Sequence, residues 1–346
     1  MRFAPSAEQR QFAQSLHDLL GDAGTPAVAR AVAHRDLSTG RAVWKQLAEV
    51  GVPALLVPEH WGGLGAECGD VVTAFEELGR HAVPGPLVES AVVVPALLAL
   101  LADGHPDLAR RWLPGLAEGE HVVTLAHPLC PRVVGADWAG DVLLVHGEEL
   151  RLLPASSLRR QRSVDPSRQI DMIIAHDTGD LLACGPEVVA AAGHAVEAGT
   201  LAVSAQLLGA ARMMLDMSVE YAVQRQQFGR QIGQFQAVKH HLADLAVAVE
   251  FTRPLVHGAA AALDGGSAEA TRDVSAAKVA ASRTADRAAR TALQVHGAIG
   301  YTQEHALSVW LLYVRALVNA WGTPSHHRAR VLAALASDGG ARGGEG

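Results

Sequence analysis

Apolar residues recur at helical spacing along most of the chain. From Ser6, the side chains of Phe12, Leu16, Leu19 and Leu20 share one helix face, with Ser6 placed to cap the helix and Glu8 near the positive end of its dipole. A second helix is expected over Val43–Val50. The run from Gly51 to Gly65, with Pro53, Pro58, Gly62 and Gly63, then breaks the pattern and predicts a short extended segment followed by a tight turn. Helical spacing resumes over Cys68–Gly79, Ser90–Ala102 and Pro106–Leu116, which makes residues 1–119 an N-terminal helical domain. Over residues 120–187 the period changes. Short apolar runs at Val122–Leu125, Val142–Val145, Leu150–Leu153 and Met172–Ala175, separated by turn residues, predict a small, reduced middle β domain. Helical periodicity then returns, with long segments near Ala198–Gln226, Phe235–Leu263, Ser267–Ala298 and Glu304–Asn319. Short connections between them predict an antiparallel four-helix bundle over residues 188–337. The Gly-rich tail, 338–346, is expected to be disordered. The predicted fold class is mainly α with a small β module.

Composition adds exclusions. A net charge of -7 argues against a nucleic-acid surface, because neutralising a phosphate backbone needs a basic face; the Arg-rich spots at Arg159, Arg160 and Arg162 and around Arg225 and Arg230 are local. Cys68, Cys130 and Cys184 have neither metal-ligand spacing nor a paired framework, so reduced thiols are expected. The first twenty residues are interrupted by Glu8, Arg10 and His17, and no apolar run reaches the length of a membrane span. A cytoplasmic protein without a membrane anchor is the expectation.

Three motifs carry the candidate chemistry. Arg225-Gln-Gln-Phe-Gly229 closes one long helix, turns, and leads through Phe235-Gln236 to Leu242-Ala-Asp244; Gln294-Val-His-Gly-Ala-Ile-Gly-Tyr301 follows the third; Pro58-Glu-His-Trp-Gly-Gly-Leu-Gly65 lies near the N-terminus. Arg225 offers a planar bidentate donor suited to a pyrophosphate, Phe228 an apolar wall, and Gln236 and Gln294 amides for a ribose or adenine edge, while Gly297 permits close backbone approach. Taken singly, Phe228 would be core, Gln236 a surface amide and Arg225 a helix-end cation. Together, in this order, they resemble the acyl-CoA dehydrogenase family, and the resemblance spans nearly the whole chain.

That resemblance implies the family's three-part fold and FAD as cofactor, its ADP half gripped across a subunit boundary by positions matching Arg225, Gln227, Phe228, Gln236, Gln294, Gly297 and Ala298. Ala298 stands where the family has a second glycine. It also implies an acyl-CoA substrate, an electron-transferring flavoprotein as acceptor, and a glutamate that removes the substrate's α-proton. The two positions at which the family places that glutamate match Trp321, in Ala320-Trp-Gly-Thr323, and Gly199; neither is a carboxylate, and Glu197 is the fallback. Thr124-Leu-Ala-His-Pro128 keeps a trace of the family's flavin-facing Thr-Glu-Pro segment. These departures resemble a subunit of the α2β2 steroid side-chain dehydrogenases of actinobacteria, in which a homologous chain completes the site. Two alternatives stand beside that reading: a self-sufficient homo-oligomer using Glu197 or another displaced carboxylate, and a flavin-free CoA-ester-binding or scaffold protein of the same fold. The small residues Gly199, Ala202 and Ala205 fit either room for a bulky acyl group or close helix packing.

Overall fold

A computed structural model describes residues 5–175 and 178–342. Its N-terminal block contains α1 (Ala7–Asp22), α2 (Thr25–Ala33), α3 (Ser38–Glu49), α4 (Cys68–Arg80), α5 (Val94–Leu101) and α6 (Pro106–Ala117). Ser6 and Gln9 form a reciprocal capping box at the start of α1, satisfying two otherwise unpaired N–H groups. A π-helical turn, Glu89–Val93, leads directly into α5. The expected extended segment after Gly51 is instead a series of turns ending in the 3-10 turn Glu59–Trp61. The apolar residues there fold back on themselves: Leu64 donates to the Ala54 carbonyl and Gly65 to that of Val57. Both glycines of the pair are required. Gly62 takes φ +86°, and a Cβ on Gly63 would lie 2.0 Å from the Val57 carbonyl oxygen.

Among the described residues, the middle module has seven strands rather than the four apolar runs visible in the sequence. β1 (Val123–Ala126), β3 (Asp141–His146), β4 (Glu149–Leu153) and β7 (Asp180–Cys184) form one sheet in the order β1-β3-β4-β7, with β1 and β3 parallel. β2 (Arg132–Val134), β6 (Ile170–Ile173) and β5 (Leu158–Gln161) form a second, antiparallel sheet. Ala126, Val133, Val142, Leu144, Leu153 and Ile173 make a small core of their own, while Leu143, Val145 and Leu150 from the opposite side of β3 and β4 join the main core. This alternation is the period-two signature of a sheet buried on both faces.

The bundle is built on α7 (Pro186–Gln224), with α8 (Gln236–Asp264), α9 (Ala270–His296) and α10 (Leu307–Leu317). α7 is long and apolar enough to cross a membrane, but most of its apolar stretch is buried inside the protein, where it is the central helix of the bundle. Gly199, Ala202 and Ala205 are all buried in helix packing. The close crossing of α4 and α7 depends on glycine: a Cβ on Gly209 would lie 1.8 Å from the Glu76 carbonyl oxygen. A fifth helix, α11 (Pro324–Arg342), was not expected and runs into the tail for which disorder was predicted. Pro324 at its first position and the Ala-Leu run Val331–Ala336 favour helix there. Residues 343–346 of that tail lie outside the described residues.

Candidate functional site

Trp321 and Gly199, 122 positions apart in sequence, are neighbours in the fold: a Cβ on Gly199 would lie 3.5 Å from Trp321 Cδ2 and 2.6 Å from Val93 Cγ2. The two positions where the sequence predicts a base therefore converge on one point, and an indole occupies it. Trp321 is fully buried, and its backbone sits at φ +52°, a conformation that costs a residue with a Cβ about 1–3 kcal/mol and persists only where packing dictates it. Its Nε1 donates to Glu89 Oε1 at 3.2 Å, and its ring stacks on His127 with centroids 6.4 Å apart. Its carbonyl is met by His327 Nε2 at 2.9 Å and Thr200 Oγ1 at 3.4 Å. His127, from the segment that keeps a trace of the family's Thr-Glu-Pro, thus packs against Trp321.

Glu89 went unread in the sequence. It is fully buried on the π-helical turn, 3.7 Å from Arg168, and its Oε2 has no hydrogen-bond partner among the described residues. Burial pushes its carboxyl above the usual carboxylate range, opposed by Arg168 and by its hydrogen bonds. A lone carboxylate inside the apolar run Leu87–Leu101 was the available signal. Beneath the indole, the fully buried Lys278 donates to the carbonyls of Leu317, Val318 and Gly322, capping α10 and fixing the turn that carries Trp321. Burial lowers its ammonium to about 7. A cavity of about 250 Å³ lined by Leu129, Cys130, Arg162, Arg168 and Ala320 opens beside this cluster.

Glu197 lies elsewhere on α7. Its carboxylate pairs with Arg330 of α11, so the fallback base is tied into an ion pair on a different helix face from Gly199.

The remaining predicted residues gather at the far end of the bundle. Gly199 and the end of α7 at Gln224 are separated by 25 residues, about 38 Å of helix. There Gln226–Gln227 (β8) and Arg230–Gln231 (β9) form a hairpin whose turn, Phe228-Gly229, has φ +52° and +77°. Both values are left-handed, as a type I′ turn requires, and they project the Phe228 ring into solvent at 91% exposure. Phe228 is not core. Arg225 is the exposed C-cap of α7, and no carboxylate pairs with it among the described residues. Tyr221, one turn earlier, stacks on His296 at 4.4 Å and so holds the hairpin beside the end of α9. Gly297 leaves that helix at φ +63° with open space where a Cβ would be, and Ala298 follows in a 3-10 turn. Gln294 and Gln236 are exposed; Gln236 is the first residue of α8, whose N-cap has no side-chain hydrogen bond, leaving N–H groups free for an anion. Arg225, Gln227, Phe228, Gln236, Gln294, Gly297 and Ala298 thus form one open, partly basic end that none of the described residues covers.

The sequence matches the N-terminal domain of acyl-CoA dehydrogenases over residues 6–120 and their C-terminal domain over residues 189–336. The chain belongs to the acyl-CoA dehydrogenase family. This family of oxidoreductases acts on acyl-CoA thioesters. Acyl-CoA dehydrogenase IpdE2 of Mycobacterium tuberculosis is 33% identical over 308 residues, covering 88% of this chain and 90% of that protein. A variant of the Tcur3481-Tcur3483 steroid acyl-CoA dehydrogenase superposes with a TM-score of 0.83 at 25% identity, covering 96% of this chain and 99% of its own. The ChsE4-ChsE5 complex of Mycobacterium tuberculosis superposes with a TM-score of 0.81 at 23% identity, covering 97% and 99%, which is a likeness of fold.

FAD fits this acyl-CoA dehydrogenase at one end and not at the other. Around Arg225 and Gly297 the donors are exposed and the backbone is open. Around Trp321 the side chains already fill the space next to Gly199.

Proposed function

We propose that this chain is the non-catalytic subunit of a heteromeric acyl-CoA dehydrogenase, one that grips the ADP half of an FAD whose flavin ring and catalytic glutamate belong to a homologous partner. The observation that carries the reading is the indole of Trp321, sealed against Gly199 at the point where both base positions meet. A tryptophan has no group that can remove an α-proton, and a filled pocket admits no thioester. The second support is distance. The open end and the Trp321 cluster are separated by about 38 Å of α7, so a cofactor gripped at the open end is not held by the Trp321 cluster of the same chain.

Within that assembly the tasks of this chain are binding and positioning. Arg225 faces a pyrophosphate with two parallel N–H donors, the N-terminus of α8 adds backbone donors, and Gln236 and Gln294 supply amides. Phe228 covers an apolar face, and Gly297 lets the backbone approach closely. When bound, FAD supplies the acceptor for the hydride leaving the acyl β-carbon. A two-chain assembly and a steroid-like acyl-CoA follow the similarity to the Tcur3481-Tcur3483 steroid enzyme; the proposal adds an α2β2 stoichiometry and an electron-transferring flavoprotein as the onward acceptor.

The test is FAD content per chain, by visible absorbance after denaturing release. The chain purified alone is expected to be colourless, and the complex with its partner to hold about one FAD per two chains. One FAD per chain in the lone protein, or dye-coupled oxidation of an acyl-CoA by it, overturns the reading.

One observation favours a second reading. Glu89 places a buried carboxylate with raised affinity for protons against the base position. If this chain is catalytic, Glu89 rather than the Arg330-paired Glu197 is its base, and Glu89→Gln in the complex would abolish turnover while leaving FAD content unchanged.

A further inference from the structure

We propose that His17, Glu77 and His81 form a binding site for one divalent cation of the zinc class, joining α1 to α4 in the N-terminal domain. Glu77 and His81 are four residues apart at the end of α4, so both project from one helix face, and His17 comes from the facing side of α1. His17 Nδ1 lies 3.1 Å from Glu77 Oε2 and 3.0 Å from His81 Nε2, and the three atoms lie within 4.8 Å of one another.

Hydrogen bonding serves this geometry poorly while Glu77 is ionised. A neutral imidazole nitrogen carries either one in-plane hydrogen or one lone pair. Facing an ionised carboxylate, His17 Nδ1 is a donor, and its single hydrogen is then shared or spent. His81 Nε2 is left either competing for that hydrogen or directing its own N–H at another N–H. A cation among the three removes the conflict, because all three atoms then act as lone-pair donors. With bonds of about 2.0–2.1 Å, a tetrahedral ion separates its ligands by about 3.4 Å, so His17 needs to part from Glu77 and from His81 by only a few tenths of an ångström while Glu77 and His81, within 4.8 Å of each other, draw together.

The surroundings suit an ion. Glu77 and His81 are buried, while His17 is partly exposed at the edge of a cavity of about 420 Å³ that offers an entry path and room for a water as fourth ligand. Burial lowers His81 to about 4, which keeps the ring neutral and able to ligate, and it raises the Glu77 carboxyl, a cost that a bound cation reverses. Arg80 lies 3.9 Å from the other Glu77 oxygen and is itself paired with Asp216 at 3.1 Å, so it orients the carboxylate while much of its charge is spoken for. Thr25 Oγ1 donates to the His81 carbonyl at 2.5 Å and fixes that residue from α2.

The experiment uses the untagged full chain, stripped with a chelator and titrated with Co²⁺. A visible d–d band of tetrahedral type is expected to saturate at one ion per chain and to vanish when Zn²⁺ is added, and Zn²⁺ is expected to raise Tm. His17→Gln and His81→Gln should each lose the band and the Tm response while keeping the helical circular dichroism spectrum. If His81→Gln does not fold, the half-exposed His17→Gln carries the test alone. Absence of a saturable band, or a band that survives His17→Gln, overturns the proposal and leaves an ordinary His–Glu pair.

Discussion

The indole of Trp321 illustrates how one side chain changes what a fold can do. It fills the space beside Gly199, so Trp321→Ala should leave a large apolar void and lower stability by about 3–5 kcal/mol in urea denaturation, without creating activity. Gly199→Ala tests the same packing from the other side: its Cβ would meet Val93 Cγ2 at 2.6 Å, and a cost of about 1–3 kcal/mol is expected. Glu89 gives a pH signature. Its folded-state affinity for protons is raised above the ordinary value of 4.5, so the folded chain holds a proton that the unfolded chain releases. Stability is therefore fully present below 4.5 and falls as pH rises through the folded value, and Glu89→Gln should flatten that limb of a Tm-against-pH curve. Trp321 and Gly199 were singled out in the sequence because two motif positions marked them, and the fold packs them together. Glu89 was not, because its partner Trp321 stands 232 positions away and nothing local predicts the contact.

Among the elements, the hairpin between α7 and α8 lets the proposed binding role be tested apart from folding. Phe228 touches little besides the edge of Phe235, 6.2 Å away, so Phe228→Ala should change the stability of the lone chain by no more than about 0.5 kcal/mol. The same substitution should lower FAD retention by the complex, read as flavin lost on gel filtration. The helices α1, α4, α6, α7, α8 and α9 were legible because their apolar residues repeat at one period over three or more turns. α2 was missed because it is nine residues long and opens with Thr25-Pro26 after a left-handed Gly24. β2, β5 and β7 were missed because three to five residues, many of them exposed, carry no measurable alternation; Arg159 and Arg160 in β5 read as part of a local Arg-rich spot. The turns after Gly51 were taken for extended chain because Val52, Leu55 and Val57 are buried without belonging to any strand.

At the scale of the whole molecule, the helical block, the β module and the bundle share one apolar core, so disturbance at their junction should be felt globally. Two histidines sit at that junction. Burial lowers His127 and His327 to about 4 from 6.5, so each ring is neutral in the folded chain and must charge as it unfolds in acid. The sign is opposite to that of Glu89: stability is fully present above 6.5 and is lost as pH falls towards 4. Tm should therefore drop steeply over that interval, and His127→Gln should soften the drop.

The open end of the bundle also bears on the life of the protein in the cell. Phe228, Ile299 and Tyr301 are 91%, 44% and 74% exposed, an oily tip unshielded in the single chain. Synthesised in excess of whatever covers that tip, the surplus would be recognised by chaperones and proteases as an orphan. Its abundance would then be set by degradation to match its counterpart, with no need for balanced transcription.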